Sequence, residues 1–432
     1  MKNFNAINDV AKARLCTGCG NCAFAVADKI TMQETADENR RPVQSAPFTK
    51  GEKDKIRQFC PALGGVAAQE NLSAGDHLTT VWGPVLEVWE GYAADDEIRY
   101  RGSSGGAVTA LALFAIEQQG FSGCLHIKAK KDQPLLNEAA YSTDRAALLE
   151  GSGSRYAPAS VCDGLHYAQQ APGPSVVVGK PCEIKAVEQA RQADPVMAEK
   201  VGLTLSIFCA GTPSHQGTKA LLKQLKPRVN SLSVAHLKYR GEGWPGTMQA
   251  TWHSRTNPKG HARAISYDEG WGKILQKHRQ WRCHTCEDHT GEYADIAVGD
   301  PWQTPQTENA KGRSLIVVRT ERGRTMVRQA VAQGAIKVAP RDPHILFAAQ
   351  PNLYTTKGAV WGRSLAMKLF GQPAPALSRA GFYCFLRLSF MDQVKSLAGT
   401  VKRMLQRRLY LPKKLHLAPW MHPFGGQSSD TK

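Results

Sequence analysis

The chain has 432 residues, enough for two or three domains and a sizeable core. Apolar residues make up 42 % and charged residues 21 %, ordinary globular usage that excludes disorder. The formal charge is +18, concentrated in part between Arg379 and Lys432, where ten Lys/Arg face two acids; no basic run interleaved with aromatics marks a nucleic-acid surface.

The opening stretch MKNFNAINDVAKARLC lacks the apolar region of a secretory signal. No segment approaches the roughly 18 apolar residues of a membrane span, so a soluble cytoplasmic protein is expected. In that reducing compartment eleven cysteines point to metal binding or catalysis rather than disulfides.

Residues 1–75 read as a cysteine-bearing segment with little regular periodicity. LCTGCGNC supplies Cys16, Cys19 and Cys22 at C-x2-C-x2-C spacing, three corners of a cubane, with Gly18 and Gly20 letting the backbone wrap closely. The position of the next ferredoxin cysteine is Val26, so the fourth corner is expected from Cys60, which proline follows in FCPA. Four thiolates also suit zinc, but structural zinc sites usually pair two C-x2-C knuckles, and three cysteines in seven residues favour an iron–sulfur cluster.

Residues 76–171 contain GSSGGAVTALALFAIEQQG, a glycine loop opening a helix that Gly120 stops, followed by the strand FSGCLHIKA. The loop carries neither a Walker lysine nor G-x-G-x-x-G spacing. Ser103, Ser104, Gly105 and Gly106 nevertheless put small residues and free N–H groups at a helix start, a cradle for a flavin pyrophosphate or simply a capped turn.

Residues 172–345 alternate strands and helices. SVVVG precedes CEIKAVEQARQ, and VGLTLSIFC precedes SHQGTKALLKQL, the pattern of a parallel sheet covered by helices. LSVAHLKY, MQATWH and ARAISY read as an antiparallel insertion before SLIVVRT, the helix GRTMVRQAVAQG and the strand AIKVAP. Cys182 and Cys209 each end an apolar strand, at the edge where ligands collect in doubly wound sheets. CHTC adds Cys283 and Cys286 before ADIAVGDPW. A strand-terminal cysteine is more often core than ligand, but together these four close a second set. Cys124, Cys162 and Cys384 read as packing residues.

In residues 346–432, Val394, Leu397, Val401 and Met404/Leu405 share one helical face, with Lys395, Lys402, Arg403 and Arg407 elsewhere. Such a basic amphipathic helix can lie on anionic lipid, pack on a partner, or dock on its own domain.

CTGCGNC, the GSSGG helix start, GKPCEIKAV, FCAGTPS, KYRGEGWPG and C-x2-C followed by ADIAVGDPW occur in this order over residues 12–345. Together they closely resemble the beta-subunit family of deazaflavin-dependent (coenzyme F-420 type) hydrogenases and dehydrogenases, with its relatives 7-hydroxymethyl chlorophyll a reductase and a divinyl chlorophyllide reductase. The resemblance implies an FAD-bearing α/β core, mostly parallel with helices on its faces, behind a small ferredoxin-like [4Fe–4S] segment. It implies that Cys182, Cys209, Cys283 and Cys286 hold a second [4Fe–4S] cluster nearest the flavin. It further implies that GSSGG and Ser154, Arg155 and Tyr156 of GSGSRYAPAS line the flavin site, with Arg240 and Trp244 at its rim. Val26 and the basic tail depart from the pattern.

The activity this suggests is an oxidoreductase in which ferredoxin or a similar donor feeds two clusters, then FAD, then an organic substrate. The alternative is an electron-transfer subunit exchanging electrons with deazaflavin inside a larger complex. Tyr156 and His215 are candidate proton donors, and nothing in the sequence chooses between them. The oligomeric state is not legible.

Overall fold

The computed structural model describes residues 7–37, 39–63, 77–226, 233–254, 257–304, 311–376, 378–413 and 415. Its strands are β1 (Ile30–Thr35), β2 (Asn39–Gln44), β3 (Glu87–Ala93), β4 (Gly123–Ala129), β5 (Asn137–Ser142), β6 (Ser175–Gly179), β7 (Val201–Ile207), β8 (Ser233–Lys238), β9 (Thr247–Ser254), β10 (Asn257–Ser266), β11 (Ile296–Gly299), β12 (Ser314–Val318) and β13 (Ile336–Arg341).

Eight of them form one sheet in the order β13-β3-β12-β11-β7-β6-β4-β5. Its centre, β11-β7-β6-β4, is parallel, as the strand–helix alternation predicts. The outer strands join antiparallel. Strands from residues 76–171 and 172–345 interleave in this single sheet, so no structural boundary falls near 171.

Strand alternation puts Val176, Cys124, Leu203 and Leu205 on one face of the sheet. There they pack with helices Ala107–Gln118 and Glu321–Ala332. Val177 and Leu125 point the other way, into an apolar layer shared with helix Pro181–Ala193 and the cysteine-bearing N-terminus. The expected antiparallel insertion is present as the three-stranded sheet β10-β9-β8. Cys124 and Cys384 are buried core residues, in keeping with the packing role expected of them.

Two expectations need correction. Residues 1–75 are more regular than their periodicity suggests. They contain the antiparallel hairpin β1–β2 and the helix Lys50–Phe59, which Thr49 and Glu52 start with a capping box. Such short elements carry little period because each sends only two apolar residues into the core, Ile30 and Met32 from β1 and Ile56 and Phe59 from the helix.

The second correction concerns the C-terminal helix, Phe390–Gln406. Its buried residues are Ser396, Thr400 and Met404, while Phe390, Met391, Val394 and Leu405 are exposed. Small residues win the inner face because helix Leu353–Leu369 crosses closely. A Cβ on Gly362 would lie 2.2 Å from Ser396 Oγ. The apolar stripe is therefore split: Met404 is buried, Leu397 and Val401 are half-buried, and Val394 and Leu405 are exposed. No helix among the described residues is long and apolar enough to cross a membrane.

Chain ends are tied together at Asp37, whose buried carboxylate meets Lys413 Nζ at 3.0 Å and Arg41 Nε at 3.5 Å. Burial alone raises its pKa, but Arg41 and Lys413 outweigh burial and hold the carboxyl at about 2. With the folded pKa depressed, this contribution to stability is complete above pH 4 and disappears as pH falls toward about 2. Urea denaturation across that window should show a loss on the order of 2 kcal/mol, absent in Asp37→Asn.

Candidate metal centres and cleft

CTGCGNC wraps as anticipated. Gly18 and Gly20 adopt φ of +75° and +94°, and a Cβ at Gly20 would lie 2.6 Å from the Asp163 backbone nitrogen. The helix Asn21–Ala25 follows, and Asn21 Nδ2 donates to the carbonyls of Phe59 (2.6 Å) and Ala186 (2.8 Å). That side chain brings the end of helix Lys50–Phe59, and with it Cys60, back to the loop. Cys16, Cys19, Cys22 and Cys60 line one hollow, each 6–9 % exposed. The Gly18 amide donates to Cys16 Sγ at 3.4 Å. Burial pushes the Cys60 thiol up to about 12 and the Cys22 thiol well above its usual range.

Strands β6 and β7 run parallel and adjacent, so the turns after them lie at one edge of the sheet. Cys182 stands in the first turn of helix Pro181–Ala193, and Cys209 follows β7. The loop carrying Cys283 and Cys286 reaches them through Thr212, whose amide donates to Cys283 Sγ at 3.3 Å, and through Cys209, whose amide donates to the His289 carbonyl at 2.8 Å. Each thiol of this set lies in the electrostatic field of others: Cys182 in that of Cys209 and Cys286, and Cys209 in that of Cys283. Burial pushes Cys209 and Cys286 up to about 12. This set is more open than the first, its four residues being only partly buried.

Among the described residues no three His, Cys, Asp or Glu side chains close to the spacing of a single ion. The first set instead rings a hollow, a donor arrangement that fits a polynuclear cluster better than tetrahedral zinc.

Cys162 is fully buried in the apolar core, as a packing residue would be, and its amide donates to the Cys19 carbonyl at 2.9 Å. Its Sγ also lies 3.6 Å from the Glu183 carbonyl, next to Cys182. The cysteine therefore stands between the two sets. The sequence offered no signal for it, because it lacks any spacing to another cysteine.

The flavin candidates converge, though not all of them face outward. Ser103 Oγ accepts from Ser154 Oγ at 2.8 Å, joining GSSGG to GSGSRYAPAS. The expected free amides are partly spent: Gly105 N–H donates to Ser314 Oγ at 2.9 Å, and Ser104 Oγ meets the same hydroxyl. Gly106, with φ +75°, starts the helix. Arg155 is a clamp, with Nε, Nη1 and Nη2 donating to Asn137 Oδ1 and the Leu237 and Pro134 carbonyls. Beside these segments lies a cleft of about 610 Å³ lined by Tyr100, Arg101, Lys128, Ser154, Arg155 and Tyr239, among others. Its size and mixed polarity suit a cofactor.

Arg240 is 5 % exposed and grips Asp300 with Nη1 and Nη2 at 2.8 and 2.7 Å. Trp244 Nε1 donates to the same carboxylate at 2.8 Å. Tyr267 and Trp302 pack on the guanidinium, and Tyr156 packs against Trp271 and Tyr239, completing an aromatic wall. Asp300, at the end of β11, was not singled out as a site residue; its pairing needed the fold. The other candidate proton donor, His215, is fully buried and bonded through Nε2 to Glu34 at 2.5 Å, away from the cleft lining.

Family models described as coenzyme F420 hydrogenase/dehydrogenase beta subunit, N-term and C terminus, match residues 88–166 and 175–344, together more than half of the chain. The chain belongs to this family of oxidoreductase subunits. It is 23 % identical over 254 residues to the coenzyme F420 hydrogenase subunit beta of Methanosarcina barkeri, covering 57 % of this chain and 79 % of that one. To a subunit of the F(420)H(2) dehydrogenase of Methanosarcina mazei it is 23 % identical over 329 residues, 73 % of this chain and 82 % of that one. A chain in the structure of the F420-reducing [NiFe] hydrogenase complex from Methanosarcina barkeri shares the fold, with TM-score 0.51 and 21 % identity over 67 % of this chain and 95 % of that one.

Removing the Asp300 carboxylate leaves the Arg240 charge buried and unpaired. Asp300→Ala should therefore cost about 3–5 kcal/mol, read by urea denaturation, with a change in the fluorescence of Trp244 and Trp302.

Proposed function

We propose that this chain is an electron-transfer oxidoreductase subunit in which Cys16, Cys19, Cys22 and Cys60 hold one [4Fe–4S] cluster and Cys182, Cys209, Cys283 and Cys286 a second, beside FAD in the cleft. The observation that carries the reading is the convergence of eight cysteines, drawn from five separated stretches, into two sets with Cys162 between them. The thiols fit the clusters by donor chemistry: soft sulfur ligands, amide donors aimed at Cys16 and Cys283, and protection from solvent.

FAD fits the cleft beside Ser103 and Ser154. When bound, it would join one-electron to two-electron chemistry. The chain's own residues supply the setting. Arg101 and Lys128 bring positive charge to the cleft, the exposed Tyr100 supplies a ring, and the Arg240–Asp300 pair fixes one wall.

The names of the relatives favour deazaflavin as the two-electron partner, within a larger hydrogenase or dehydrogenase assembly. The second reading, in which ferredoxin or a similar donor supplies electrons for an organic substrate, is supported by the basic surface that would attract an acidic donor. Oxidation of reduced deazaflavin by the purified protein, with a partner retained on gel filtration, favours the first. Turnover of an organic substrate by the chain alone with reduced ferredoxin favours the second.

Anaerobically purified protein should contain about eight iron atoms and one flavin. Cys60→Ser should remove about half of the iron, as Cys19→Ser does, while Cys124→Ser retains it all. Full iron in Cys60→Ser would place the fourth ligand elsewhere.

The outward apolar face of helix Phe390–Gln406 also supports peripheral contact with an anionic lipid surface. Ten of the sixteen large exposed apolar residues among those described lie between Leu369 and Leu411, amid Lys395, Lys402 and Arg387. The protein should sediment with vesicles containing phosphatidylserine but not with phosphatidylcholine alone, and Phe390→Ser/Met391→Ser should abolish the difference.

A further inference from the structure

The segment after residue 344 lies outside the matched family regions, yet its inner face rests on the second cysteine set. Met404 joins Met367 and Trp281 in a small apolar cluster next to the CHTC loop. Arg403 and Arg407 flank Met404 on that inward face of the helix, one turn apart. Arg363, on helix Leu353–Leu369, donates from Nη1 to the His284 carbonyl at 2.8 Å. Arg279 donates from Nη1 to the Ala210 carbonyl at 3.0 Å. His284 adjoins Cys283, and Ala210 adjoins Cys209. A Cβ added at Gly211 would lie 2.9 Å from Arg279 Cδ and 3.1 Å from Cys283 Cβ, so the arginine runs along the cysteine loop.

Among the described residues none of these four guanidinium groups makes an ion pair with a carboxylate. Arg363 faces Arg279 and Arg403, and His284 faces all four. Arg279, Arg363 and Arg403 are half-buried and Arg407 is exposed beside them; positive charges gathered without acids repel one another unless a negative group answers them. Arg279 faces the thiols of Cys283 and Cys209, which become negative on binding metal.

We propose that Arg279, Arg363, Arg403 and Arg407 form a cationic collar that raises the reduction potential of the cluster held by Cys182, Cys209, Cys283 and Cys286 above that of the first. This rests on the two-cluster reading given above. Cluster potentials follow net charge, hydrogen bonds to sulfur and solvent exposure. Reduction adds one negative charge to the cluster and its thiolates, and the collar stabilises that charge. The first set is enclosed at 6–9 % exposure and has a single guanidinium, Arg41, near Cys16, while the Glu183 carboxylate reaches both sets and does not distinguish them. Added negative charge is less welcome there. The difference biases electrons toward the set at the sheet edge. Three collar arginines come from the segment outside the family match, so the segment adjusts a centre that the family domain supplies.

The test is a potentiometric EPR titration of the full-length loaded protein, comparing Arg403→Gln/Arg407→Gln, Arg363→Gln and Lys395→Gln/Lys402→Gln. The lysines are exposed on the other side of the same helix and control for net charge. In the two collar variants the signal that survives Cys60→Ser should move to lower potential and depend less on salt. The signal that Cys60→Ser removes should stay in place, and the lysine variant should move neither. An unmoved second signal in collar variants that keep their iron overturns the collar. So does an equal shift of both signals, or an equal shift in the lysine variant, since either would reflect a general surface field. A chain binding only about four iron atoms would sink the two-cluster reading itself, and the collar with it.

Discussion

A buried ion pair stands at the junction of the structure. Glu183 is 1 % exposed and lies in the first turn of helix Pro181–Ala193, one residue after Cys182. Its carboxylate accepts from Lys180 Nζ at 2.5 Å and from the Lys180 amide at 2.9 Å. The Val161 amide approaches the same carboxylate at 3.4 Å. Its field reaches Cys19, Cys162, Cys182 and Cys209. A buried carboxylate must be satisfied from several sides at once. Meeting that requirement draws the strand β6 turn, the 160–163 loop and the first cysteine loop into one place.

Once this junction forms, both cysteine sets inherit their positions. Cys182 is fixed by the helix start, and the Cys19 loop is fixed by the Cys162 amide on the Cys19 carbonyl and the Ser160 hydroxyl on the Gly18 carbonyl. Arg41 adds a further tie, donating to the Cys16 carbonyl at 3.0 Å and to Gln280 at 3.1 Å, just ahead of the CHTC loop. The first set thus rests on the face of the same helix that carries Cys182. Proximity of the two cysteine sets follows from packing.

The carboxyl edge of the parallel strands organises the rest. Cys182 and Cys209 follow β6 and β7, Asp300 follows β11, and Lys128 at the end of β4 reaches the cleft. The second cysteine set, the cleft and the aromatic wall therefore share one rim because the strands beneath them point the same way. The outer antiparallel strands widen the sheet and bury Glu90 with Arg313 and Arg341, in register with Gly299 at the end of β11.

The sequence by itself determined the alternation of strand and helix, the antiparallel insertion, the tight first cysteine loop and the membership in this family. Periodicity and spacing record interactions between residues close in the chain, and those signals are read without a fold. It also anticipated that Cys60 meets Cys16, Cys19 and Cys22, because the count of thiols left one corner open. Only the tertiary structure decided that Cys162 bridges two sets, that Asp300 answers Arg240, and that Arg155 spends its donors on the chain. It alone split the apolar stripe of the last helix between the protein and its surface and set Arg403 and Arg407 near the CHTC loop. Each of these depends on a partner dozens to hundreds of residues away. A side chain's partner at that distance is chosen by burial and charge satisfaction in the folded core, which no local pattern encodes.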